Sequence, residues 1–170
     1  MSRPRIIEDR SGVTLMEMMI IVVLIGLLAA MAVPQWIAAM PRIRARATMR
    51  DVVSSLRMAR SLAISRKEPF GVNFNQTTGQ YTLFADRNSP DLHSFTTGDS
   101  IVAAVPVGMD VSIATATLPN GNVVFQPDGS ASATGNVIFT THESPLATTF
   151  SVDILASTGR VRLTEVAPTG

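Results

Sequence analysis

Residues 13–33 read VTLMEMMIIVVLIGLLAAMAV, and Glu17 is the only charge in the run. At about 1.5 Å per residue a helix of this length spans about 30 Å, the thickness of a bilayer's hydrocarbon core. The run therefore predicts a membrane segment, and whatever fold the chain adopts must leave this segment to one side. A cleaved secretory signal is the competing reading. Arginines precede the run, and Ala30-Met31-Ala32 has a small-x-small pattern. Such signals carry a shorter apolar stretch of about 7–15 residues and no carboxylate within it. An acid well inside a bilayer costs roughly 2.5–3.5 kcal/mol, so Glu17 needs a partner or a function.

Charge is distributed unevenly around this segment. Residues 42–67 hold seven arginines and Lys67 against Asp51 alone. From Glu68 onward three basic residues face nine acidic ones, a net of −6. A whole-domain electrostatic grip on nucleic acid is not expected from the acidic part. The arginines after the span outnumber those before it, so a count of flanking positive charge alone would put the wrong end in the cytoplasm. The chain has no cysteine, which excludes disulfides, thiolate metal sites and cysteine nucleophiles.

Beyond Pro41, apolar residues recur at helical spacing: Ile43, Ala47, Met49, Val52, Val53, Leu56, Ala59, Leu62 and Ala63. Basic residues fill the opposite face. The pattern ends at Arg66-Lys67-Glu68-Pro69, a helix stop. One long helix over about 14–66 is predicted, kinked at Pro34, which lacks an N–H and clashes with the preceding turn. Residues 70–165 predict short strands. Phe70, Val72 and Phe74 alternate, a turn at 75–79 follows, and Tyr81, Leu83 and Ala85 come next. Residues 87–100 are polar and read as a loop. Further strands are expected at 101–107, 111–117, 122–126, 136–141, 148–156 and 160–165, with turns at Asp128-Gly129 and Thr158-Gly159.

Gly12-Val13-Thr14-Leu15-Met16-Glu17 before a long apolar run resembles the type III signal of type IV prepilins and type II secretion pseudopilins. The resemblance implies an α+β, pilin-like fold: a long kinked N-terminal helix packed on an antiparallel β-sheet domain. It implies a leader at 1–12, a transmembrane and filament-core helix at 13–33, an amphipathic stem at 34–67 and a soluble β domain at 68–170. Prepilin peptidase would cut after Gly12, and Val13, where the family usually has phenylalanine, would be N-methylated. Glu17 would offset the α-amine of a neighbouring subunit, and Pro34 matches the family's helix-kinking proline. The implied localisation is a single-pass inner-membrane protein with a cytoplasmic N-terminus and a periplasmic β domain, later part of a filament. Its partners would be other pilins or pseudopilins, the peptidase, the inner-membrane assembly platform and the lipid bilayer.

A second resemblance extends into the soluble part. Residues 57–66 (RMARSLAISR), 125–130 (FQPDGS) and 157–163 (STGRVRL) are similar to those of H-type minor pseudopilins and FimT-like minor pilins. This implies a minor subunit that initiates or caps a secretion pseudopilus or a type IV pilus. It also gives the alternative of a DNA receptor for uptake, because Arg160 and Arg162 project from one face of an extended strand and suit phosphate contacts. No catalytic constellation is visible, so no enzyme activity and no cofactor is expected. His93 and His142 have no metal-ligand spacing. Asp86, Asn88 and Asp91 offer only a weak calcium pattern.

Overall fold

The computed structural model describes residues 13–88, 92–108, 110–142 and 147–166. They fall into two units, one ending at Met40 and one beginning at Pro41. Helix α1, Leu15–Arg66, supplies the first unit's only element among the described residues and the stem of the second. The helix stops where Lys67 turns into the left-handed region (φ 58°) one residue before Glu68-Pro69.

The second unit is α+β. Eight strands follow the stem: β1 Phe70–Asn75, β2 Gln80–Ala85, β3 Ser100–Pro106, β4 Val111–Ala116, β5 Asn122–Phe125, β6 Gly135–Thr141, β7 Thr149–Leu155 and β8 Arg160–Val166. They form two antiparallel sheets, ordered β3-β2-β1-β5 and β4-β6-β7-β8. The predicted strands are all present, within a residue of the predicted ends. The turn at 75–79 closes because the Asn75 carboxamide oxygen accepts the N–H groups of Thr77 (2.9 Å) and Thr78 (3.1 Å).

The stem buries Ala45, Met49, Val52, Val53, Leu56, Ala59 and Ala63 against both sheets. Phe70 and Val72 of β1, Val123 and Phe125 of β5, and Phe139, Phe150 and Val152 of the second sheet complete this core. Phe74 meets Phe139 edge to face at 6.2 Å, joining one sheet to the other. Two expected members of the helical stripe lie elsewhere. Ile43 is 57% exposed and Ala47 is exposed, while Ala45 is fully buried. Each sits two residues before a buried position, about 200° around the helix. The stripe's phase is set by Met49, Val52, Leu56, Ala59 and Ala63, and Ile43 is out of step with it. Leu56→Ala should therefore cost about 2–5 kcal/mol, and Ile43→Ala under about 1 kcal/mol, in chemical denaturation.

The described residues of the polar stretch before β3 form no helix or strand, and they fold back on the first sheet. Phe95 packs on the buried ring of Phe84 at 5.0 Å, and Gly71 leaves room for that ring where a Cβ would collide with it. Asp99 fastens the loop by accepting the N–H groups of Arg87 (3.2 Å), Asn88 (3.1 Å) and Thr96 (2.7 Å) and the Thr96 hydroxyl (3.0 Å). Burial raises the pKa of its carboxyl, but these hydrogen bonds outweigh burial and hold it below the ordinary value. Arg87 also donates to Glu68 at 2.7 Å, tying the loop to the end of the stem.

Candidate functional site

The first unit presents apolar side chains all round. Val22, Leu28, Met31 and Trp36 are each about two-thirds exposed, and none of the most apolar stretch is buried. Its length and composition are those of a membrane anchor. A surface this apolar needs lipid or other subunits to cover it. The helix begins on a local signal. Thr14 Oγ1 accepts the Glu17 N–H (3.2 Å), and the Thr14 carbonyl accepts the Met18 N–H (3.2 Å). Thr14-x-x-Glu17 has the spacing of a capping box, and an anion in the first helical turn is favoured by the helix dipole. The family resemblance implies a role for Glu17 between subunits, and the Thr-x-x-Glu spacing adds this local one, which the resemblance does not imply. The helix runs on through Pro34 and Pro41. The leader and Gly12 lie outside the described residues, and Val13 is exposed.

In the second unit the three stretches of the second resemblance converge. Half-buried Arg60 on the stem donates its Nε–H to the Gly129 carbonyl at 2.9 Å. Gly129 (φ 86°) belongs to a turn in which Gln126 and Ser130 bond through the backbone at 2.9 Å. Asp128 accepts the Ser130 hydroxyl (2.7 Å) and N–H (2.8 Å), and these bonds hold its carboxyl below the ordinary value. Gly159 (φ 60°) turns β7 into β8 directly against the same place. A Cβ there would run into the Gly129 carbonyl oxygen and stand 3.0 Å from Arg60 Nε. Ala131 N–H to Ala156 carbonyl (2.8 Å) stitches the two turns together. Arg60, expected on a solvated basic face, is thus a structural clamp.

Arg160 and Arg162 do share one face of β8. Arg160 lies opposite Leu155 of β7 and Arg162 opposite Asp153. Asp153 accepts the Ser151 hydroxyl at 2.8 Å and puts a negative charge on the face that the arginines share. A shallow depression of about 380 Å³ there is lined by Asn136, Asp153, Arg160 and Arg162 among others. Between the stem and the β7–β8 hairpin runs a larger open groove of about 910 Å³, lined by Arg57, Arg60, Ser61, Ile64, Leu155 and Arg160 among others. Two other stem arginines form exposed ion pairs within the chain, Arg44 with Asp110 (3.6 Å) and Arg46 with Glu165 (3.1 Å). Arg57 and Arg60 as companions of Arg160 were not foreseen, because only the fold brings residues a hundred positions apart together.

Among the described residues no three His, Cys, Asp or Glu side chains lie close enough to hold a metal. Asp86 is buried, the Asn88 amide is turned to Thr96 Oγ1 and the Thr97 carbonyl (both 3.4 Å), and Asp91 lies outside the described residues. His93 is half-buried, with Nδ1 3.3 Å from Gln126 Nε2, and His142 is exposed.

Residues 48–165, more than half of the chain, match the family model of the type II transport protein GspH. The chain belongs to the GspH family. Membership makes this GspH-family chain a structural subunit of the pilin and pseudopilin class. The fold is similar to that of the minor pseudopilin EpsH from the type 2 secretion system of Vibrio cholerae, with a TM-score of 0.55 and 16% identity. That likeness covers 75% of this chain and 99% of EpsH. The type IV minor pilin FimU of Pseudomonas aeruginosa gives a TM-score of 0.48 at 14% identity, covering 72% and 96% of the two chains. A search of curated proteins gave no significant match.

Proposed function

We propose that this chain is a minor pseudopilin made as a prepilin, cut by prepilin peptidase between Gly12 and Val13 and N-methylated at Val13. Its anchor helix sits in the inner membrane with the N-terminus cytoplasmic and the β domain periplasmic. From there it joins other pseudopilins on the assembly platform and initiates or caps the filament. Glu17 offsets the Val13 amine of a neighbouring subunit and so fixes axial register, while Pro34 lets the helix kink between its membrane and stem halves. The observation that carries this reading is the unburied apolar helix with one carboxylate in its first turn. The GspH match favours a secretion pseudopilus over a type IV pilus. The reading is tested by where the mature chain begins: at Val13 in cells with the peptidase, and with the leader retained in cells without it.

The second reading is a DNA receptor for uptake. It is supported by Arg160 and Arg162 sharing one face of an edge strand. On that reading, Arg160→Ala with Arg162→Ala should lower oligonucleotide retention and flatten its salt dependence by about two phosphate contacts. Unchanged, salt-sensitive retention would remove both residues from consideration.

A further inference from the structure

β8 is the last strand of its sheet, and its outer edge meets no other strand among the described residues. An edge of this kind offers a row of backbone N–H and C=O groups to any extended chain laid beside it. The groove between the stem and the β7–β8 hairpin opens at the start of this edge, at Arg160 and Val161. Arg57, Arg60 and Arg160 contribute positive charge, and no acidic residue lines it. Ile64 and Leu155, 41% and 46% exposed, contribute aliphatic surface. No aromatic ring lines it, so nothing there would stack on bases, which disfavours single-stranded nucleic acid as the occupant. Towards the far end of β8, the Arg46–Glu165 ion pair reaches across from stem to strand beside Phe150 and Leu163.

We infer that this groove receives an extended segment of another filament subunit, one alternating apolar and acidic residues, which adds to the open edge of β8. The inference rests on the reading that the chain assembles with other subunits. Strand alternation dictates the pattern of the incoming segment. Val161 and Leu163 are on the inward face of β8, so every second side chain of the newcomer turns inward toward Ile64 and Val161. The others lie on the outer face beside Arg160 and Arg162, whose two positive charges outnumber the single negative charge of Asp153 opposite Arg162, so cross-strand pairing there favours acids. Arg57 at the rim favours the approach of the same charge.

The test uses the full chain in detergent micelles and a short labelled peptide alternating valine and glutamate. Fluorescence anisotropy should show saturable binding, and hydrogen exchange should show β8 amides gaining protection in the complex. Arg57→Glu and Arg160→Glu should each weaken binding about tenfold. Replacing glutamate by lysine in the peptide, or N-methylating its alternate amides, should abolish binding. The inference is overturned if the lysine peptide binds equally, if N-methylation is without effect, if β8 exchange is unchanged, or if a short poly-dT strand displaces the peptide. The two readings separate cleanly. Absent peptide binding in a chain that still enters filaments sinks only the groove. Peptide binding by a chain that never enters filaments sinks the assembly reading, and with it a filament subunit as the occupant, while the groove's preference for an alternating apolar and acidic strand stands.

Discussion

Glu17→Ala is expected to leave the anchor inserted and the β domain folded, yet to lower recovery of the chain in sheared filaments on the order of a hundredfold. The direction of the two effects is opposite. Removing a carboxylate relieves an insertion cost of roughly 2.5–3.5 kcal/mol, so membrane partition should improve. Losing the partner of a water-excluded amine costs about 3–5 kcal/mol at the moment of assembly, which makes a hundredfold loss, about 2.8 kcal/mol, the lower bound. The cap found at the helix start supplies the control. Glu17→Gln preserves a side chain suited to a capping box while deleting the charge, and should fail nearly as badly as alanine. Thr14→Ala removes the Oγ1 that accepts the Glu17 N–H, a loss of about 1 kcal/mol, and should lower incorporation only severalfold. Should Thr14→Ala fail and Glu17→Gln succeed, the carboxylate's importance would be local to its own helix. Immunoblotting of sheared and membrane fractions reads all three variants.

Gly159→Ala is expected to destabilise the second unit by about 3 kcal/mol or more, lowering the melting temperature by about 10 °C. Two costs combine. The residue holds φ at 60°, where any Cβ is strained by about 1–2 kcal/mol. That Cβ also meets the Gly129 carbonyl and Arg60, so the clamp between stem and both turns must open. Gly79→Ala isolates the first cost. Gly79 has φ 61°, but nothing lies within 4 Å of its Cβ position, so only the strain of about 1–2 kcal/mol applies. Equal losses at the two glycines, measured by thermal unfolding followed by circular dichroism, would show that the junction of the three stretches contributes nothing beyond turn geometry.

What could be read in advance follows from what is local. The anchor, the stem and the eight strands depend on runs, alternation and turn residues, and those signals lie within a few positions of one another. The division of the strands into two sheets does not. Phe74 against Phe139 and the pairing of β1 with β5 are settled by packing across long stretches of chain. Periodicity alone also misplaced the start of the buried stripe. Ile43 and Ala47 are apolar enough to belong, but only the sheets beneath the stem decide which way the helix is turned. The loop before β3 looked merely polar because Phe95, its one anchor to Phe84, sits among threonine, serine and glycine. Arg160 and Arg162 were legible as a pair because two residues on one strand share a face by necessity. Asp153 opposite them, and Arg57 and Arg60 across the groove, became neighbours only through the fold.

The intact mass of the chain released from sheared filaments is the most direct measurement of what the apolar helix is for. The account predicts a chain that starts at Val13 and carries one added methyl group on its terminal amine. A chain missing from that fraction, or found there with its first twelve residues still attached, would contradict it.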